Sequence, residues 1–426
     1  MRSSRSRTRR KAWPPSSRSA NRCSRTVSAT AVLLAAHIAS MMGFSTYAAL
    51  LPELRDAWHL SNAQAGVIGG MFFAGYVATV SYWTALTDRV DARRVYVAGS
   101  LIAAAASTGF GLVAGGFASA VFFQVLLGVG LAATYMPGLR LLSDRISGPG
   151  QSRSIATYTS FFGIGTALSL AAAGFVASSV GWRMAFVVAA AGPVVSGALV
   201  FTLLHPSPRQ EQPKRGFSFA TLFPLAAWRE VLRNRAAAGY TAGYMAHCLE
   251  LFGSRGWMVA FLAFSASLHS GDSFPWQLPA IAAVINLLAV PASIFGNELA
   301  LRIGRRRWIL LVMAASGSCG ILVGSSASWH WLLVLTLLIA YSMLVMAESG
   351  TLTAGLVAAA PPEQRGAAMG LYSLLGFGGG LLGPVVFGAA LDAAGGSASP
   401  LAWVVAYAAI GAGCLAAPLV ARVMRP

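Results

Sequence analysis

The chain reads as long apolar runs separated by short polar stretches. The first six runs cover approximately 28–51, 63–86, 95–114, 118–142, 154–178 and 183–204. A second six cover approximately 236–266, 277–300, 308–324, 330–357, 367–391 and 400–423. A helix rises 1.5 Å per residue and needs ~20 mostly apolar residues to cross the hydrocarbon layer, so each run predicts one spanning helix. Strands of a closed barrel would show alternating segments about half as long, and these runs do not alternate.

Composition points the same way. Apolar residues make up 56% of the 426, and charged residues only 10%. A soluble domain carries about 25% charged residues, so this chain cannot cover a water-facing surface of its size. An all-α polytopic membrane protein is expected. The four cysteines, Cys23, Cys248, Cys319 and Cys414, show neither paired nor metal-ligand spacing, so no disulfide framework, metal or cofactor is expected.

The formal charge is +18, with 29 Arg and 2 Lys. Positive residues gather in the cytoplasmic loops of membrane proteins, which accounts for the charge without a nucleic-acid partner. With the N-terminus in the cytoplasm, 28 of the 31 basic residues fall on that side; the others are Arg55, Arg183 and Arg255. Both termini are therefore expected in the cytoplasm of a bacterial-type inner membrane. Residues 1–27 carry nine basic residues and no acid, and are expected to be a disordered cytoplasmic tail. A chain starting at Val27 would keep every span. Residues 205–235 form the longest linker and separate two six-span units, 28–204 and 236–423.

The two units repeat. Asp88-Arg89-Val-Asp91-Ala-Arg93-Arg94 aligns with Leu301-Arg302-Ile-Gly304-Arg305-Arg306-Arg307 at an offset of 213 residues. The same offset aligns Gly163 and Gly165 with Gly376 and Gly378, and an offset of 210 aligns Ala36-His37 with Ala246-His247. Parallel duplication of a six-helix unit is an architecture used by transporters.

The Asp88-Arg89-x-x-x-Arg93-Arg94 loop, with its degenerate second copy, resembles the signature loop of the major facilitator superfamily. Gly181-Trp182-Arg183 before span 6 and Pro361-Pro-Glu-Gln-Arg365-Gly366 before span 11 are similar to that family too, and the resemblance covers about residues 28–423. It implies the major facilitator fold, with 12 transmembrane helices as two pseudo-symmetric six-helix bundles. There are departures. Thr84 and Asp91 stand where the loop usually has Gly, and Gln124 stands where proton-coupled members often carry Arg. Span 5 has Ser169-Leu170 in place of the exporters' Gly-Pro, which favours uptake.

The resemblance implies a gating loop of Asp88, Arg89, Arg93, Arg94 and Asp144. Asp88 would lie near the N-terminus of span 11, and Arg93 or Arg89 would pair with Asp144. The alternative is that the arginines only enforce topology, the role expected of Arg140. Ionisable groups inside apolar spans are costly and point to function. These are Glu250, His247 and Arg255 in span 7, Glu348 in span 10 and His37 in span 1; span 4 adds Gln124 and Tyr135. In the family, spans 1, 4, 7 and 10 line a central cavity, which places these residues as substrate or proton-coupling candidates. The plain alternative is helix packing for the two histidines and a structural pair for Glu250 and Arg255.

No nucleotide-binding loop or nucleophile elbow is present, so an enzyme is not expected. The expected function is secondary transport of a small-molecule substrate by a monomer in membrane lipid, with protons as the coupling ion. A multidrug-type efflux permease and a transport-inactive sensor or assembly protein are the alternatives.

Overall fold

The computed structural model describes residues 17–146, 150–206, 223–269 and 274–423. All regular structure among them is helical. The first half comprises α1 (Ser17–Ser40), α2 (Thr46–Ala57), α3 (Asn62–Leu86), α4 (Ala92–Val113), α5 (Phe117–Ser143), α6 (Gly150–Val180), α7 (Trp182–Ala189) and α8 (Ala191–Leu203). The second comprises α9 (Leu225–Arg233), α10 (Arg235–Ser267), α11 (Leu278–Ile303), α12 (Arg305–Ser325), α13 (Trp331–Ala347), α14 (Ser349–Ala359), α15 (Arg365–Ala393) and α16 (Pro400–Val423). The repeat persists in the helix starts: α4 begins at 92 and α12 at 305, the 213-residue offset of the loop motif.

Ten helical segments among the described residues are long and apolar enough to cross a membrane. Two expected spans fall outside that set for identifiable reasons. Span 7 is α10, which has 33 residues but carries His247, Glu250 and Arg255. Span 1 is interrupted at residues 41–45, between α1 and α2. The first helix also begins at Ser17, ahead of residue 28, and takes in part of the expected disordered tail. Residues 1–16 of that tail lie outside the described residues.

Breaking a helix inside a bilayer frees backbone groups that protein must satisfy. Ser169 of α6 does this at the break in span 1. Its hydroxyl donates to the Met42 carbonyl at 2.7 Å and accepts from the Ser45 N–H at 3.0 Å. Span 10 is interrupted at Glu348, between α13 and α14, where the Trp308 indole N–H donates to the Ala347 carbonyl at 3.1 Å.

Small residues set the helix spacing, as expected where lipid offers no hydrophobic drive for association. On α3, Gly75 lies against the Val125 backbone of α5, and Gly128 of α5 lies against the Phe72 backbone of α3. On the Gly-rich α15, Gly379 and Gly383 lie against the carbonyls of Met245 and Leu249 on α10. A side chain at any of these would drive the helices apart. Large apolar side chains such as Leu112, Phe122, Phe175, Phe201 and Phe295 stand exposed around the outside, as a lipid-facing surface requires. The chain is a multi-pass membrane protein.

The linker contributes α9, whose Trp228 and Val231 pack against Leu356, Leu371 and Tyr372. Residues 207–222 lie outside the described residues.

Candidate functional site

Polar groups inside the helical bundle collect in three places. The first is a cavity of about 60 Å³ between the two halves. Phe44 and Ser45 at the break in span 1, Phe72 and Phe73 of α3 and Gln124 of α5 line it from one side. Phe252 and Arg255 of α10 and Asn286 of α11 line it from the other. Asn286 donates to the Ala282 carbonyl at 2.7 Å and leaves its own Oδ1 without a partner. Arg255 makes no ion pair with any carboxylate among the described residues.

The second place is a fully buried acid–histidine cluster inside the C-terminal half. His247 Nδ1 lies 3.0 Å from Glu348 Oε1. Glu250 accepts a hydrogen bond from the Ser316 hydroxyl of α12 at 2.9 Å. Glu250 Oε1 and Glu348 Oε2 have no hydrogen-bond partner. Beneath the cluster runs a cleft of about 350 Å³, with Arg235 and Arg306 among its lining residues. Its walls include Ala246, Met313 and Gly413. Ala246 is one helical turn from Glu250, Met313 is one turn from Ser316, and Gly413 adjoins Cys414.

The third place holds His37. Its ring is buried, stacks on Tyr158 at 4.3 Å and packs on Tyr135 at 5.3 Å. Neither ring nitrogen has a partner.

These positions redistribute the candidates. Only Gln124 and Arg255 line the central cavity; His247, Glu250 and Glu348 pack within the C-terminal half, and His37 with Tyr135 within the N-terminal half. A helix that borders a cavity still turns most of its side chains elsewhere. Glu250 and Arg255 do not pair, as their five-residue spacing suggests.

The loop after α3 also departs from expectation. Asp88 forms an ion pair with Arg140 of α5, whose guanidinium also donates to Thr87 Oγ1 at 2.9 Å. Asp144 lies 3.8 Å from the same Arg140 and pairs with neither Arg89 nor Arg93. Arg93 instead binds Asp91 at 2.9 Å and the Leu204 carbonyl at 2.6 Å. The reason is reach: Arg140 and Asp144 are one turn apart on adjoining chain, whereas Arg93 is held by the residue that caps α4. Arg89 and Arg94 are exposed. Asp91 accepts from the Arg93 backbone N–H at 3.0 Å. Burial alone would raise its carboxyl, but the Arg93 hydrogen bonds and the Arg93 and Arg145 charges hold it below the usual carboxylate range.

Polar contacts between halves among the described residues lie at the opposite end, where Gln277 Nε2 also donates to Ser178 Oγ at 3.0 Å. Asp392, at the end of α15, accepts from the backbone N–H groups of Asn62 and Ala63 at 3.2 and 2.8 Å, and from Asn62 Nδ2 at 2.7 Å. A carboxylate is favoured there because the first amides of a helix lack intrahelical acceptors. Arg55 donates to Asn62 Oδ1 at 3.1 Å and to Ser397 Oγ at 2.6 Å. Sequence reasoning missed Asp392, Asn62, Asn286 and Ser316. The carboxyl of Asp392 just after an apolar run and the amide of Asn286 inside one were the available signals; Ser316 had none.

Residues 33–384 match the family model described as Major Facilitator Superfamily. Over 146 residues the chain is 29% identical to a protein described as a probable 4-methylmuconolactone transporter of Cupriavidus pinatubonensis. That stretch is 32% of this chain and 33% of the relative, so the chain covers about a third of that relative's length. The fold is similar to that of a bacterial homologue of the human lysosomal transporter Spinster, solved inward-facing and unoccupied, with a TM-score of 0.69 and 17% identity over 95% of each chain. It is also similar to the nucleoside transporter NupG, with a TM-score of 0.69 and 16% identity over 92% of this chain and 98% of that one. At such identities the two structures speak to the fold alone. With helices, repeat and loop motif in agreement with a family model over most of its length, the chain belongs to the major facilitator superfamily.

Proposed function

We propose that this protein is a proton-coupled secondary transporter that takes up a small organic solute by alternating access. The two halves would rock about the central cavity, where the solute binds. The basic end would face the cytoplasm, as the distribution of Arg and Lys favours, with both termini on that side of a plasma membrane. The superfamily is one of transporters; of the two solved neighbours, one is described as a nucleoside transporter and the other as a homologue of a lysosomal transporter.

The observation that carries the coupling is the buried cluster. Two carboxyl groups, Glu250 and Glu348, lie at 0% exposure with one histidine, and neither contacts an arginine or lysine. A carboxyl without a fixed cation is favoured neutral where water is excluded and ionised where water arrives. Alternating water access therefore alternates its charge, which is what coupling to a proton requires. The cleft lined by Ala246, Met313 and Gly413 lies one helical turn or less along the chain from the cluster and is separate from the solute cavity, so water entering it would need only a local side-chain movement to reach Glu250. Ser169-Leu170, in place of the exporters' Gly-Pro, supports uptake over efflux.

Reconstituted vesicles with an imposed pH gradient test this. Glu250→Gln should lose uphill accumulation, keep part of its counterflow and lose most of its pH dependence, since Gln mimics the protonated form. Wild-type accumulation with an unchanged pH profile would remove Glu250 from the coupling path. A sensor that has lost transport would show neither accumulation nor counterflow with the wild-type chain.

A further inference from the structure

The geometry points to a small carboxylate with a flat apolar body as the solute, its carboxylate held by Arg255. The inference takes its setting from the transport reading above, but the binding chemistry stands on the cavity itself.

Arg255 sits among apolar spans, where an unpaired cation costs ~2.5–3.5 kcal/mol. Such a charge ordinarily finds a carboxylate inside the protein. Here the buried carboxyls are engaged elsewhere, Glu348 with His247 and Glu250 with Ser316. No Asp or Glu lines the cavity, so its only formal charge is the guanidinium of Arg255. That field disfavours a cation and attracts an anion. A guanidinium presents a planar fork of N–H donors that matches a carboxylate in two parallel hydrogen bonds.

Two further side-chain amides line the same space with hydrogen-bonding capacity unused. Gln124 is 3% exposed and makes no hydrogen bond among the described residues. Asn286 is 1% exposed and its Oδ1 has no partner. An unpaired buried amide costs ~1–3 kcal/mol, so both are groups that a bound solute would satisfy. Gln124 can donate to the second carboxylate oxygen or to a ring substituent, and Asn286 can accept from a hydroxyl.

The rest of the wall selects the body. Phe44, Phe72, Phe73 and Phe252 surround the space, with the Phe73 and Phe252 rings 4.4 Å apart across the two halves. Aromatic faces and edges favour a flat ring over a hydrated sugar. The volume of about 60 Å³ holds a small molecule only. At ~10–15 Å³ for each water, it is the space of roughly four to six waters. An aromatic or unsaturated ring bearing one carboxylate fits both the size and the chemistry. A nucleoside, a sugar or a polyamine does not.

Equilibrium binding to the purified full-length protein in detergent tests this without the leak of neutral acid across a bilayer. The probes are radiolabelled benzoate, phenylacetate and 2-furoate, with benzamide and benzylamine as neutral and cationic competitors of the same shape. At least one carboxylate should bind saturably, and benzamide and benzylamine should compete at least tenfold less well than the unlabelled acid. Arg255→Gln should weaken binding on the order of 10- to 100-fold, with Arg255→Lys retaining part of it, because Lys keeps the charge and loses the fork. The competitor series uses the wild-type chain, so it decides the matter even if an Arg255 variant fails to fold. Equal competition by benzamide, preference for benzylamine, or binding by none of the three acids would each overturn the inference. Carboxylate binding with no pH-driven accumulation would sink the coupling proposed for Glu250 and leave this assignment standing. Glu250-dependent accumulation of a neutral or cationic solute would do the reverse.

Discussion

The contact between Asp392 and the start of α3 is open to a direct energetic test. Asp392→Ala removes the acceptor for two backbone amides and the Asn62 side chain, at 3.2, 2.8 and 2.7 Å. Asp392 is exposed, so water replaces much of what is lost and each hydrogen bond contributes ~0.5 kcal/mol rather than its buried value. The carboxylate's interaction with the positive end of α3 adds ~0.3–1 kcal/mol. The closed arrangement at this end should therefore be destabilised by about 2 kcal/mol, which shifts the equilibrium with a separated arrangement roughly 30-fold. Asp392→Asn keeps one acceptor and loses the charge, so it should fall between. Spin labels at Ala57 and Ala398, both exposed and flanking the contact, report the distance between halves. The short-distance population should dominate in the parent protein and give way to a longer one in Asp392→Ala. A distance distribution unchanged by Asp392→Ala would refute the reasoning and reduce the contact to surface decoration.

Two further outcomes follow from backbone chemistry. Ser169→Ala removes the hydroxyl that serves the Met42 carbonyl and the Ser45 N–H, and should cost about 2 kcal/mol, read as a lower thermal unfolding midpoint in detergent; an unchanged midpoint would show that the break does not depend on it. Asp91→Ala removes the cap of α4 and should cost ~1 kcal/mol at neutral pH. Because folding lowers the Asp91 carboxyl, its contribution is present above the ordinary value of ~4 and is lost as pH falls through the lower folded value. The stability difference between parent and variant should therefore shrink towards zero in acid; an equal difference at pH 3 and pH 7 would contradict this.

Some of the loop chemistry was legible as residue types but not as partners. Asp88 was expected in a gating loop with Arg89, Arg93, Arg94 and Asp144, and its partner in the fold is Arg140, a residue expected only to mark topology. The carboxylate expected at the N-terminus of span 11 has a counterpart in the reverse pairing, where Asp392 at the end of span 11 meets the N-terminus of span 2. The carboxylate seen at a helix start is that of Asp392. Its address depended on how the halves meet, and no spacing within one chain segment encodes that.

What the amino-acid order alone determined is the set of spans, the duplication and the identity of the costly residues. Each of these is a one-dimensional property: a run length, an offset, or a charge where a charge is expensive. Water and lipid impose them directly on the chain, whatever the helices later touch. The tertiary structure decided which way the side chains face. A rotation of 100° per residue separates Glu250, turned to Ser316 inside its own half, from Arg255, turned to the cavity between halves. Both lie on α10, and both read as the same kind of signal. Only helix packing, set by contacts such as Gly383 against Leu249, assigns one to a buried acid cluster and leaves the other as an unpaired cation facing an apolar pocket.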